Sequence, residues 1–217
     1  MAIVLYGHPF SSCTQKVLIA LYENATPFSW RVLDGPEAFD ELKRLWPLGL
    51  MPVLRDGDSA VAETSIILEH LDLHHRGPVR MLPDDPRAAL QVRALDRFLD
   101  LYVMTPMQRI VGDSLRPEGQ RDPRGVADAR ARLEQAYAWL DGQLVEGAWA
   151  AGPDFSMADC AAAPALFYAD WVQPIDTAFS RVRALRRRLL RRPSFARAVD
   201  EARPYRSFFP LGAPDRD

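Results

Sequence analysis

Between Arg76 and Arg87 the chain carries Gly77-Pro78 and then Pro83-Asp84-Asp85-Pro86, a stretch that neither a helix nor a strand can cross. The two sides of this break read differently. On the N-terminal side the element types alternate. A short buried strand at Ile3 to Tyr6 is followed by a helix from Thr14 to Glu23, with Val17, Leu18 and Leu21 on one face, and by a second strand at Phe28 to Leu33. A helical pattern follows Asp34-Gly35-Pro36 through Leu45. Pro52 then opens the strand Val53-Leu54-Arg55, Asp56-Gly57 turns into the strand Ala60-Val61-Ala62, and a helix runs from Thr64 to His74. A helical crossover favours parallel pairing of the first two strands, whereas the hairpin requires antiparallel pairing of the last two. The order β-α-β-α-β-β-α therefore predicts an α/β domain with a mixed four-stranded sheet covered by helices.

Beyond the break the pattern is helical, at about 88–113, 125–146, 156–171, 178–191 and 194–203, with Pro- and Gly-containing interruptions. The expected division is an α/β domain over residues 1–78, a linker over 79–87 and an all-α helical bundle domain over 88–217. A chain of 217 residues, 48% of them hydrophobic, can bury cores of that size, which excludes an intrinsically disordered chain. Lys and Arg number 27 against 29 Asp and Glu, a net charge of -2, so no overall field favours phosphate backbones and no nucleic-acid partner is expected. Two cysteines, Cys13 and Cys160, are too few for a disulfide framework and fit a reducing compartment. The opening Met1-Ala2-Ile3-Val4-Leu5-Tyr6-Gly7 has no charged segment ahead of a long apolar one, and no run approaches the roughly 18 apolar residues of a membrane span. The expectation is a cytoplasmic protein without a membrane partner.

The first loop, Gly7-His8-Pro9-Phe10-Ser11-Ser12-Cys13-Thr14, leads from a buried strand straight into a helix. A helix start presents unpaired N–H groups and partial positive charge, so hydroxyls and thiols there sit where an anion is stabilised. Ser11 or Ser12 is equally a plain N-cap, and capping does not exclude anion binding.

The run Gly7-His8-Pro9-Phe10-Ser11-Ser12-Cys13-Thr14-Gln15-Lys16-Val17 resembles the first βα loop of serine-type glutathione transferases. Its Gly-His-Pro start is similar to the phi class and its Ser-Ser-Cys to the zeta class. Three more segments follow in family order: Gly49-Leu50-Met51-Pro52-Val53-Leu54, Glu63-Thr64-Ser65-Ile66-Ile67-Leu68-Glu69-His70-Leu71, and Phe155-Ser156-Met157-Ala158-Asp159. The resemblance implies a thioredoxin-like fold for the N-terminal domain, a homodimer, and glutathione as co-substrate beside a small electrophile. Free glutathione thiol, taken near the reference cysteine pKa of about 8.5, is only about 3% thiolate at neutral pH. A hydroxyl donating to the sulfur favours the anion, at about 1.4 kcal/mol per unit of pKa.

Ser11 aligns with the family's activating serine, and Ser12, one residue on, is the second candidate. The resemblance also implies a cis bond before Pro52, with the Met51 backbone pairing with the cysteinyl unit of glutathione. Thr64 would receive the γ-glutamyl carboxylate and Glu63 the ammonium, with Phe10, Cys13 and Leu50 completing the set. Two positions depart from the family pattern. Leu50 stands where a glutamine is common, and Glu37-Ala38 stand where a polar pair holds the glycine carboxylate, leaving Lys43 or Arg44 as substitutes. Cys13 offers a different chemistry, because a thiol in the first turn of a helix is expected to have a lowered pKa and can form a mixed disulfide with glutathione. There is, however, no Cys-x-x-Cys.

In the helical part, Ser156-x-x-Asp159 is a capping box, a folding signal. By the resemblance, the 88–113 helix faces the glutathione sulfur, making Tyr102, Met107 and Arg109, together with Phe167, the candidate substrate-binding residues. Seven arginines between Arg181 and Arg192 interleave with Val182, Leu185, Leu189 and Leu190, which reads as the solvated face of an amphipathic helix. His70, His74 and His75 gather at one helix end; their spacing permits metal binding, but with no third ligand in view no metal is expected. The reaction implied is conjugation of glutathione to a hydrophobic electrophile, in detoxification. Ser11-Ser12-Cys13 suggests a zeta-type isomerase as the enzymatic alternative, and a non-catalytic binding or regulatory protein keeping the same fold is the alternative of another class.

Overall fold

The computed structural model describes residues 3–217. Met1 and Ala2, with which the expected first domain opens, lie outside the described residues. The N-terminal part contains β1 (Ile3–Gly7), α1 (Ser12–Glu23), β2 (Phe28–Val32), α2 (Pro36–Leu45), β3 (Val53–Asp56), β4 (Ser59–Ala62) and α3 (Thr64–His74). The sheet order is β2-β1-β3-β4, with β1 parallel to β2 and antiparallel to β3, and β3 antiparallel to β4. This is the mixed four-stranded sheet that the crossover and the hairpin require.

Alternation along β1 sorts its side chains between two layers. Ile3 and Leu5 join Val17, Leu18 and Leu21 of α1 and Ile67, Leu68 and Leu71 of α3 in the main core. Tyr6 points the other way and packs with Leu33, Ala38, Leu42 and Val53 under α2. The sheet is thus covered on both faces, and the C-terminal ends of β1 and β2 and the start of β3 converge at one edge beside the loop after Gly7.

The remaining helices are α4 (Pro86–Phe98), α5 (Thr105–Ser114), α6 (Pro123–Gln143), α7 (Met157–Val172), α8 (Ser180–Leu190) and α9 (Pro193–Ala202), followed by a short 3-10 segment, Arg203–Phe208. The all-α part packs around α7, of whose residues all but Trp171 are buried. The run Ala161-Ala162-Ala163 lets α1 and α4 approach this helix closely, and the main core continues without interruption from the sheet into the bundle. The capping box forms as expected, with an Asp159 carboxylate oxygen accepting the Ser156 N–H at 3.0 Å. Among the described residues no helix is long and apolar enough to cross a membrane.

Two expectations need correction. The single helix expected at 88–113 is interrupted by a π-helical stretch, Leu99–Met104. Pro106 has no N–H to offer Tyr102 and its ring would clash with that carbonyl, and a wider turn just before it accommodates both facts. The arginine run is not a freely solvated face. Arg186 is buried against Asp170 at 3.1 Å, Arg188 stacks on Trp149 at 3.6 Å, and Arg192 makes a forked pair with Glu23 of α1 at 2.6 and 2.8 Å. These guanidinium groups pin α8 to α7 and to the loop that carries Trp149, and the start of α9 to α1.

Candidate active site

Gly7 ends β1 at a place where only a glycine fits, since a Cβ there would lie 2.6 Å from Cγ2 of buried Thr14. The loop then folds back on itself: the Ser11 N–H reaches the His8 carbonyl at 3.0 Å, and the Phe10 N–H donates to His8 Nδ1 at 3.2 Å. Burial pushes the His8 imidazole below its usual pKa, in keeping with a ring nitrogen that accepts a hydrogen bond. Gln15 clamps the loop to α7 by donating to the Pro9 carbonyl and the Tyr168 hydroxyl, both at 3.0 Å.

Ser11 is the N-cap of α1, and its Oγ accepts the Thr14 N–H at 3.2 Å. That bond uses a lone pair and leaves the hydroxyl proton to donate elsewhere. Ser11 is half-buried at the mouth of the loop, whereas Ser12 is buried in the first turn.

Cys13 departs from expectation. Burial raises its pKa and Asp100 raises it further, against the opposing effects of Lys16, Ser12 and Gln108. The thiol is not the activated one that its helix-start position alone suggested. Gln108 of α5 donates to its sulfur at 3.8 Å, which brings the helical part to the loop through a residue that the sequence pattern did not single out.

Across the same sheet edge, the Met51–Pro52 bond is cis, as the resemblance implies. Met51 lies ahead of the β3 ladder, which begins at Val53, and Leu50 beside it is exposed. Glu63 precedes α3 with φ 68° and ψ 118°, a left-handed backbone in a non-glycine residue. Such a conformation costs about 1–3 kcal/mol and persists only where its surroundings enforce it, commonly at binding sites. Thr64 opens α3, so its N–H belongs to a free helix start. At the expected glycine-carboxylate position Ala38 is buried, while the Lys43 stem passes Gly49, whose missing Cβ would sit 3.4 Å from it.

The four candidate substrate residues do not gather into one cavity. Tyr102 packs on Phe98 at 5.2 Å in a shallow recess shared with Trp139, Met107 is buried, and Arg109 pairs with Asp122 at 3.2 Å. Phe167 lies in an aromatic cluster with Phe10, Tyr168 and Trp171, around a crevice of about 10 Å³. Besides Gln108 and Tyr168, the loop is walled by residues that follow the last helix: Tyr205 stands edge-on to His8 at 4.6 Å, and Phe208 stacks on it at 6.0 Å. Tyr-x-x-Phe-Phe after the last helix is the only sequence signal for them, and nothing local links it to His8. At the other end of α3, His70 and His75 share Asp56, a third donor that spacing along the helix could not reveal.

A strained acidic residue before a helix, a cis-proline opening a central strand and a hydroxyl capping the first helix are features of a two-part fold, an α/β sheet domain joined to a helical bundle. The chain belongs to the glutathione S-transferase family: the family model for the N-terminal domain matches residues 5–79, and that for the C-terminal domain matches residues 121–188. It is 26% identical over 213 residues to a probable maleylacetoacetate isomerase of Vibrio cholerae, covering 94% of this chain and 98% of the other. It is 29% identical over 155 residues to a glutathione S-transferase of Pseudomonas putida, covering 71% and 69%. A crystal structure of a Methylobacterium radiotolerans glutathione S-transferase with glutathione sulfonate superposes with a TM-score of 0.79 at 27% identity, covering 92% and 95%.

Proposed function

We propose that the chain binds glutathione along the edge formed by the β1–α1 loop, Met51-Pro52 and Glu63-Thr64, and that Ser11 stabilises its thiolate. The observation that carries this reading is the Ser11 hydroxyl, which accepts from Thr14 as a helix cap and keeps its proton for an incoming sulfur. Thr64 at the start of α3 receives the γ-glutamyl carboxylate, Glu63 pairs with the ammonium, and the unladdered Met51 backbone aligns the cysteinyl unit. Phe10, Cys13 and Leu50 border this strip, with Ser12 one step behind Ser11. Lys43, whose stem runs past Gly49, is the cation for the glycine carboxylate. The thiol loses its proton to solvent, the sulfur anion attacks an electrophilic carbon beside His8, Tyr205 and Phe208, the leaving group (chloride in a chlorinated nitroaromatic) departs with the electron pair of the broken bond, and the product leaves as a thioether.

Conjugation in detoxification is the first reading. A second is favoured by Ser11-Ser12-Cys13 together with near end-to-end similarity to the probable isomerase. In it, the thiolate adds to a cis double bond, the bond rotates, and the sulfur is expelled, so that glutathione is regenerated. Measuring both conjugation of a chlorinated nitroaromatic and cis-to-trans isomerisation of maleylacetoacetate at saturating glutathione separates the two. Failure to bind glutathione at millimolar concentration would defeat both.

A homodimer is part of the proposal. Ile66 and Leu73, seven residues apart on α3, and Leu90 on α4 are exposed apolar side chains, and the Arg93–Glu69 pair at 2.8 Å joins the two helices beside them. A surface of this kind is what a second copy covers. A cytoplasmic location fits the unpaired Cys13 and Cys160.

A further inference from the structure

The opposite end of the sheet holds a second cluster of chemistry-bearing side chains. β3 runs from Val53, beside Pro52, to Asp56, and α3 runs from Thr64 to His74, so both carry their last residues away from Ser11. There a single oxygen of Asp56 meets His70 Nε2 at 3.0 Å and His75 Nε2 at 2.6 Å. One donor atom from each of the three residues lies within 4.8 Å of the others. All three side chains are half-buried, at 16% exposure for Asp56, 18% for His70 and 27% for His75. The His74 ring centre is 4.5 Å from that of His70, which places a third imidazole beside the cluster.

Two imidazole nitrogens and one carboxylate are a borderline-soft donor set, suited to Zn²⁺ rather than to Mg²⁺ or Ca²⁺, which take oxygen ligands. Zinc ligands at about 2.0–2.2 Å in a tetrahedron stand roughly 3.4 Å apart. The two distances to Asp56, 2.6 and 3.0 Å, are slightly shorter than that value, and no pair of donor atoms is more than 4.8 Å apart, so a small adjustment brings all three to it. His75 is the C-cap residue, with φ -130° and ψ 46°, so its ring can turn by the small amount required without unwinding α3. We infer that Asp56, His70 and His75 form a zinc site that ties the β3–β4 hairpin to the C-terminal end of α3, with water or His74 in the fourth position. The site is structural: it lies at the far ends of the elements whose near ends border the glutathione strip.

The test uses the tag-free full chain, stripped with EDTA and dialysed. Titration with ZnCl₂ by calorimetry should give one zinc per chain, and zinc at 100 times its Kd should raise the melting temperature by about 5 °C or more. Co²⁺ in place of zinc should give the visible absorption of a four-coordinate ion. His70→Gln/His75→Gln keeps side chains that can still donate to Asp56, and it should weaken zinc binding at least tenfold. Should that double variant fail to fold, Asp56→Asn alone should show the same loss. Conjugation at saturating glutathione should be unchanged by zinc, which separates this result from the reading of the Ser11 site. An unchanged melting temperature at 100 µM zinc, or undiminished binding in either variant, would overturn the assignment.

Discussion

The Lys16 ammonium lies 2.7 Å from the Asp96 carboxylate, with the two side chains only 3% and 4% exposed. Asp100 completes the group at 3.0 Å, and the Ser65 hydroxyl accepts from Lys16 at 3.0 Å. Burial alone would lower the Lys16 pKa, but Asp100 and Asp96 outweigh it and hold the ammonium charged. One helix of the α/β part is thereby locked to the first helix of the bundle and the π-helical turn after it.

Removing one member of a buried ion group leaves uncompensated charge, at a cost of about 3–5 kcal/mol. Lys16→Met should lose that much stability in urea unfolding, because two carboxylates then face each other without a cation. Lys16→Met/Asp96→Asn/Asp100→Asn should recover most of the loss. A single variant within about 1 kcal/mol of the parent would show that the group contributes little.

The helix cap that Ser11 forms and the thiolate-stabilising role proposed for it can be separated by substitution. Ser11→Ala should cost about 1 kcal/mol of stability through the lost cap, whereas Ser11→Gly should cost only a few tenths. Both should lower turnover about 10²–10³-fold, the usual effect of deleting a preorganised donor to a developing anion. The ultraviolet absorbance of bound thiolate, followed against pH, should show the glutathione pKa rising in both variants. Normal turnover in Ser11→Gly would move the role to Ser12.

The fold was legible because its punctuation is strong. Gly35-Pro36 and Asp56-Gly57 mark turns, Pro83 to Pro86 marks the break, and Ser156 with Asp159 marks a helix start. Local capping was legible too: Ser11 at the helix start depends on residues within one turn. What could not be read were contacts between distant segments. Cys13 at a helix start suggests a lowered pKa, but burial and Asp100, which lies on the π-helical stretch after α4, reverse the sign. Arg109 is a substrate candidate by the resemblance alone, and its pairing with Asp122, thirteen residues on, has no signal in the local sequence. His8 and Tyr205, and likewise Asp56 and His75, meet only after the chain has folded.

The raised pKa of Cys13 fixes the direction of its reactivity. The thiolate is the reacting species, so alkylation should be slow at neutral pH and should still be accelerating above the pH at which a free thiol has levelled off. Buried Cys160, whose pKa burial raises even further, should remain unmodified in the native protein. Peptide mapping after timed iodoacetamide exposure between pH 7 and 10 reads both sites. Cys13→Ala should keep most of the conjugating activity, and a stable glutathionyl adduct at Cys13 together with lost activity in that variant would instead assign the chemistry to the thiol.

The exposed apolar pair on α3 makes the oligomeric state testable without touching the glutathione strip. Ile66 and Leu73 lie two helical turns apart, and both stand clear of the core that Ile67, Leu68 and Leu71 form on the other side of the helix. A carboxylate at each position should therefore be tolerated by the folded protomer, while two such faces brought together would bury opposing like charges. Ile66→Glu/Leu73→Glu should elute as a monomer in light-scattering chromatography, near the 24.5 kDa chain mass, with an unchanged far-ultraviolet spectrum. The parent should elute at about twice that mass. A parent that is already monomeric, or a variant that still pairs, would show that this face is not where two copies meet.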